Sequence, residues 1–344
     1  MNWQLVTQLA QQHGVVPQVY RATGDGSVPD RTLVRQYQAS ARQALWLTAE
    51  LLRILKKFEE AGVQVLSYKG PVLAEMLYGD VSMRQFSDLD LLVCEDDVSA
   101  IKRPLAEIGY ECGLKLTPCQ QRAYLKSGYE YTFDGPHGRN LIEIQWQILP
   151  RFYSVQFDVT DLFASAIEAT VNSVPVRTLS YEDLFLVLCV HAAKHAWARL
   201  CWLCDLVELS KRREMDWAAI EKRVRSLGMQ RIVAVAFLLA QRLLLAPLPE
   251  ALERLVASNH AAEAIASEVI SRLAAGEEYD LESPAYFRLM LRSRERWQDR
   301  ARFLWRLGVT PSVGEWTAMR LPDPLFPLYR VVRIGRLAKR IARR

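Results

Sequence analysis

"SYKGPVLAEMLYGDVSMRQFSDLDLLV" (residues 67–93) is the stretch whose reading decides the fold. It begins inside "VQVLSY" (63–68), a short run rich in β-branched residues that reads as a strand. "PVLAEMLYG" (71–79) then reads as a helix, with Pro71 in its first turn and Gly79 just past its end. "LDLLVC" (89–94) is the next strand. Residues two apart on a strand share a face, so Asp88 and Asp90 project together while Leu89 and Leu91 take the other side.

Two carboxylates side by side repel each other, and partial burial makes both harder to ionise. A divalent cation removes that penalty, and hard cations such as Mg²⁺ prefer carboxylate oxygens. For the Asp-Leu-Asp alone, a turn aspartate plus a solvent-facing one is the simpler reading. A third acid shifts the balance. Glu143 lies in "LIEIQW" (141–146), inside an expected strand, where a solvated edge position is the plain alternative. If that strand neighbours the aspartate strand, Asp88, Asp90 and Glu143 form a catalytic and metal-binding cluster. Two Mg²⁺ ions roughly 3.5–4 Å apart would then serve a phosphoryl or nucleotidyl transfer.

The residues upstream fit the same task. Lys69-Gly70 follows a strand and precedes a helix; Gly70 permits close backbone approach, and a helix N-terminus favours phosphate. Lys69 adds positive charge. Arg84 would neutralise a triphosphate or pair with local acids, and Ser87 would donate a hydrogen bond to it. Tyr78 reads as core.

Working outward, residues 1–60 read as helical. "RQYQASARQALWLTAELLRILKKFEEAG" carries apolar residues at helical spacing up to Gly62, a C-cap. "RATGDGSVPD" is a loop. "DDVSAIKRPLAEIGYE" (96–111) reads as one helix ending at Gly109, with Pro104 counting against it. "YEYTF" and "NLIEIQWQI" flank "DGPHGR" as a β-hairpin. From about residue 157 the chain reads as helical almost throughout. It includes one long apolar stretch, "SYEDLFLVLCVHAAKHAWARLCWLCDLVELSKRR", opened by Ser180 with Asp183 as a capping box. "LPDPLFPLY" interrupts near the end. Three segments follow: 1–60, an α/β core at 61–156, and a helical domain at 157–344 with a basic tail. Two or three domains suit 344 residues.

Within the helical part, His191, Lys194 and His195 stand at i, i+3 and i+4 and share a face. Contact of Lys194 or His195 with nucleotide phosphate or base competes with a structural role in a domain interface. Zinc lacks a completing ligand. Asp205 is an acceptor for one histidine or a surface acid. Cys201 and Cys204 form a CxxC without a second pair and read as core thiols.

Half the residues are hydrophobic and 24% charged, as in a globular protein. Six cysteines make no disulfide framework, no apolar run is long enough to span a bilayer, and the first twenty residues lack signal-peptide features. These features together predict a cytoplasmic protein. The net charge of +5 is local: the last sixteen residues, "YRVVRIGRLAKRIARR", hold seven Arg or Lys and no acid, leaving the rest net negative by two. That tail reads as a solvated amphipathic end, a contact for anionic membrane lipid, or a contact for RNA.

Lys69-Gly70, Tyr78, Arg84, Ser87-Asp88-Leu89-Asp90-Leu91-Leu92-Val93 and the Glu143–Trp146 strand together resemble the nucleotidyltransferase-like family of the DNA polymerase β superfold. More narrowly they resemble a poorly characterised bacterial group of nucleotidyltransferase family proteins. "HGVVPQVY", "HAAKHAW", "LCDLVEL", "MDW" and "LPDPLFPLYR" extend the likeness over most of the chain. Nucleotidyltransferases of abortive-infection toxin systems are more distantly similar and carry Gly-Gly-Thr where this chain has Lys69-Gly70-Pro71.

The resemblance implies an α+β fold. Its centre is a polymerase β-like core, a mixed sheet with helices, flanked by the helical N-terminal segment and a larger helical C-terminal domain that closes over the nucleotide. It implies that Asp88 and Asp90 bind Mg²⁺ with Glu143 as third carboxylate, in transfer of an NMP from an NTP to a hydroxyl or phosphate acceptor with release of pyrophosphate. The broader superfamily has Gly-Ser on the phosphate loop with Asp-x-Asp closer behind; here Gly70-Pro71 stands there and Asp88 comes eighteen residues later. A catalytically inert nucleotide-binding or scaffold protein and a toxin-like tRNA nucleotidyltransferase are the rival readings.

Overall fold

The computed structural model describes residues 2–24, 30–135, 141–319 and 321–342. Three helices lead: α1 (Trp3–Gln12), α2 (Val16–Ala22) and the thirty-residue α3 (Arg31–Glu60). Asp30 caps α3 by accepting from the Thr32 N–H at 2.8 Å, and its other oxygen accepts from Thr7 Oγ1 at 2.8 Å. One carboxylate thus starts α3 and ties α1 to it. Gly62, at φ +69°, turns the chain out of α3 as its sequence position predicts.

The centre is β1 (Val65–Ser67), α4 (Gly70–Tyr78), β2 (Asp88–Val93), α5 (Lys102–Glu107), β3 (Glu111–Cys112), α6 (Pro118–Ser127), β4 (Glu130–Asp134) and β5 (Leu141–Gln145). The five strands make one mixed sheet in the order β1-β2-β5-β4-β3, in which only the β2–β5 pair is parallel. Gly79, in the left-handed conformation, ends α4 as expected. The hairpin of β4 and β5 forms as expected too; its turn, "DGPHGR", lies mostly outside the described residues.

Alternation along the strands sorts the two faces. Leu89, Leu91 and Val93 of β2 join Ile142 and Ile144 of β5 in a core closed by Leu47, Leu51, Ile54 and Phe58 of α3. The period of α3 puts those four on one stripe, which covers that face of the sheet. The opposite face carries Asp88, Asp90, Glu143 and Gln145.

Beyond the sheet come α7 (Val159–Ala164), a hairpin of β6 (Ile167–Val171) and β7 (Val174–Thr178), then α8 (Tyr181–Lys194) and α9 (Leu200–Ser210). Next are α10 (Trp217–Leu227), α11 (Gln230–Leu244), α12 (Glu250–Ala257), α13 (His260–Ala275) and α14 (Pro284–Arg292). The chain closes with α15 (Trp297–Val309), α16 (Val313–Ala318) and α17 (Tyr329–Ala342). No described helix is long and apolar enough to cross a membrane. A second core joins Leu92, Leu73 and Leu77 to the helices from α8 onward, so the helical part packs on the carboxylate-bearing side of the sheet.

Three readings of the sequence need correction. Residues 167–178 form a hairpin, not helix, because Asn172 and Ser173 both take positive φ (47° and 65°), which sets a tight two-residue turn between alternating segments. The stretch 96–111 is not one helix. A 3₁₀ turn over Glu95–Ser99 precedes α5, and Pro104 sits in the first turn of α5, where its missing N–H costs no helical bond. The apolar stretch from 180 breaks between α8 and α9, where Ala196 and Trp197 are both left-handed and their N–H groups close the end of α8. Ser180 does cap α8, accepting from the Asp183 N–H at 3.2 Å.

Candidate active site

The β2–β5 register sets Asp90 directly opposite Glu143. Both side chains, with Asp88 two residues earlier, stand on the face away from α3. β4 adds a fourth acid on the far side of β5, since Glu130 is opposite Gln145. Gln145 binds the group together. Its Nε2 donates towards Asp90 Oδ1 at 3.1 Å, Glu143 Oε2 at 3.1 Å and Glu130 Oε2 at 3.4 Å. The buried Tyr68 hydroxyl donates to its Oε1. One amide with two hydrogens thus serves three carboxylates.

Lys69 supplies the nearest full positive charge, donating from Nζ to Asp90 Oδ1 at 2.9 Å; both side chains are buried. It is the N-cap residue of α4, so the first turn of that helix opens beside the acids. Gly70 follows at φ +54°, a conformation that disfavours any side chain, and a Cβ there would lie 3.5 Å from the Asp88 carbonyl oxygen. Ser87 is exposed just ahead of Asp88.

The crowding shows in the protonation equilibria. Burial, then Asp90, raises the Asp88 carboxyl, with Lys69 and Arg84 opposing. Burial, then Asp90 and Glu130, pushes Glu143 up to about 8 from its ordinary 4.5. Between these values the folded chain binds more protons than the unfolded one, so stability is lost as pH rises from about 4.5 to about 8. The urea midpoint of the wild type, measured against that of Glu143→Gln, should therefore fall between pH 5 and pH 8. Parallel pH profiles for the two proteins would refute this.

Arg84 is buried and donates from Nε to Asp205 Oδ2 of α9 at 3.0 Å, while the Tyr78 hydroxyl donates to Asp205 Oδ1 at 2.9 Å. Burial lowers the guanidinium pKa, but Asp205, Cys201 and Tyr78 together outweigh it, and the net shift is upward. Asp205 is thus neither a surface acid nor a histidine partner. Tyr78 is mostly buried, as expected of a core residue, and also holds Asp205.

Lys194 and His195 come to the same face from the end of α8. Lys194 Nζ donates to the Tyr129 hydroxyl at 2.8 Å, and the Lys194 carbonyl accepts from Tyr286 at 2.6 Å. Burial lowers the Lys194 pKa; Glu130 opposes this and Lys69 adds to it. His195 is pushed down to about 3 by burial and then by Lys194 and Lys69, and His191 is also lowered by burial and the same cations. Both rings are neutral at pH 7. They pack 4.8 Å apart, with Trp202 at 5.3 and 5.2 Å, forming an aromatic wall. Cys201 is buried and Cys204 largely so, and burial and Asp205 raise both thiols to about 12, in line with core packing.

Reading the sequence alone misses Glu130, Gln145, Tyr68, Tyr129 and Trp202. Only Gln145 had a local signal: it lies two residues beyond Glu143 on the same strand face.

Among the described residues, no three His, Cys, Asp or Glu are placed as a finished metal site. The donor set nevertheless suits a hard cation. Its oxygens are all carboxylate, and burial, with repulsion from Asp90 and Glu130 added, keeps Glu143 protonated to about pH 8. A cation would relieve that repulsion.

A family model described as an uncharacterised nucleotidyltransferase matches residues 1–245. No curated protein matches the chain. Among solved structures, the antibiotic-resistance factor ANT(2'')-Ia is 16% identical over 58% of this chain and 95% of its own, with a TM-score of 0.35. A crystal structure of ANT(2'')-Ia with adenylyl-2''-tobramycin gives 15% identity over 57% and 98%, with a TM-score of 0.32. An antigenic nucleotidyltransferase-like protein from Paracoccidioides brasiliensis gives 14% over 54% and 89%, also at 0.32.

Proposed function

We infer, from the premise that this chain belongs to the uncharacterised nucleotidyltransferase family, that it moves an NMP from an NTP to a hydroxyl or phosphate acceptor. The observation that carries this reading is the in-register pair Asp90–Glu143, with Asp88 beside it and Lys69 at the adjoining helix N-terminus. In the reaction the acceptor oxygen bonds to the α-phosphorus, the bond from that phosphorus to the bridging oxygen breaks, and pyrophosphate leaves with the electron pair. Asp88, Asp90 and Glu143 would hold Mg²⁺, which supplies charge neutralisation of the phosphates when bound.

The protein's own groups do the rest. Lys69 compensates Asp90 in the free protein and turns to phosphate when nucleotide arrives. The first turn of α4 and Ser87 bind phosphate oxygens. Arg84, fixed by Asp205, opposes from behind the rise that burial and Asp90 impose on the Asp88 carboxyl. Glu143 accepts the acceptor's proton. Lys194 orients Tyr129 beside Glu130, and the wall of His195, His191 and Trp202 offers a neutral surface for a base.

A second reading, a nucleotide-binding protein without turnover, draws on one observation: Asp90 is already neutralised by a buried lysine. Calorimetric titration with each NTP and Mg²⁺ tests the first step common to both. Binding is expected at pH 7 with Mg²⁺, accompanied by proton release as Glu143 ionises, and weaker without it. Absence of binding for all four NTPs with Mg²⁺ would overturn the proposal.

A further inference from the structure

A second concavity lies away from the carboxylates, between the C-terminal end of α6, the Arg151 turn, α15 and the segment joining α16 to α17. Its volume is about 520 Å³. Trp316, Phe326 and Pro311 make its floor, and Lys126, Arg151, Arg306 and Arg330 stand around it. No acidic side chain lines it among the described residues. The four cations take part in no ion pair among those residues, and Arg306 is held below its ordinary pKa by burial and then by Arg151 and Arg302.

Three observations say what fits there. Trp316, only 3% exposed, gives the inner end of the cleft an apolar aromatic lining. Trp305, on the wall, is 69% exposed, and Leu325 and Leu328 beside the cleft are also exposed, so apolar surface continues from the floor to the outside. The basic tail, in turn, is partly spent within the fold: Arg333 and Arg336 both pair with the buried Glu315. Those two arginines are therefore not available to a ligand in the cleft, whose cations are Lys126, Arg151, Arg306 and Arg330.

We propose that this cleft binds an anionic phospholipid of a membrane surface, its phosphate among Lys126, Arg151, Arg306 and Arg330 and its acyl chain on the Trp305 and Trp316 side. An apolar floor with cations confined to the rim matches an amphiphile with one anionic end. Free phosphate would leave the tryptophans unused.

Vesicle co-sedimentation tests this with the full chain, using phosphatidylcholine alone and phosphatidylcholine with phosphatidylglycerol as about a third of the lipid. Binding is expected only with the anionic lipid. Lys126→Gln with Arg330→Gln, both at exposed positions, should weaken it roughly twenty-fivefold, about fivefold for each charge. Trp305→Ser should weaken it as well, with unchanged circular dichroism in all variants. Soluble dihexanoyl phosphatidylglycerol should compete and glycerol 3-phosphate should not. No vesicle binding, binding unaffected by these variants, or equal competition by glycerol 3-phosphate would overturn the proposal. Binding of tRNA in place of vesicles, lost in the double variant, would assign the face to RNA and overturn it equally.

Discussion

Asp205→Ala is expected to destabilise the folded chain by about 3–5 kcal/mol, read as a lower urea midpoint. The Asp205 side chain is fully buried, and its two oxygens take Arg84 and Tyr78 from the far side of a domain-sized gap in sequence. Removing it leaves the Arg84 guanidinium buried without a counter-ion, and the Tyr78 hydroxyl without its acceptor. The companion experiment separates that penalty from the worth of the pair itself. Arg84→Met combined with Asp205→Leu removes both charges, and should recover most of the loss. An Asp205→Ala protein within about 1 kcal/mol of wild type would show that water or a rearrangement satisfies Arg84. A double variant as unstable as the single one would locate the loss in packing.

This pair also marks the limit of what the sequence discloses. Arg84 and Asp205 are 121 residues apart, and no local period or spacing brings them together. The aspartate strand is the opposite case. Alternation along residues 88–93 and 141–145 already separates acids from Leu and Ile, and burial of the apolar set against α3 forces the acids onto the other face. That is why the neighbouring of Asp90 and Glu143 was legible. Gly79 and Gly62 were legible because a left-handed helix end has a residue preference of its own. The β6–β7 hairpin carried a local signal, Asn172-Ser173 between alternating segments, but a serine in the second turn position is weaker than glycine. Glu130 looked like an ordinary strand residue, because only the pairing of β4 with β5 turns it towards the other acids. Lys194 and His195 shared a helix face on paper. In the fold His195 is the residue that ends α8, and the left-handed turn at Ala196 and Trp197 is what aims the chain end at the sheet.

Asp90→Asn should lower nucleotidyl transfer by about a thousandfold, the equivalent of several kcal/mol of lost charge stabilisation at the transferred phosphoryl group. The substitution is nearly isosteric. Its amide oxygen still accepts from Lys69 and Gln145, so the fold should survive where Asp90→Ala would strand the buried lysine. The measurement is single-turnover transfer of label from α-³²P-labelled NTP into a mixture of small-molecule and RNA acceptors, with unfolding midpoints taken in parallel. Glu143→Gln should lose transfer too, since it removes the group proposed to take the proton, while Lys194→Met acts on the orientation of Tyr129 and should cost less. The pattern separates the two readings of the site. A catalyst loses turnover with Asp90→Asn while retaining its fold; a binding protein has no turnover to lose, and the same substitution alters only its response to Mg²⁺. Wild-type transfer that persists undiminished in Asp90→Asn would remove the aspartate from the chemistry and leave the register of β2 and β5 without the role assigned to it.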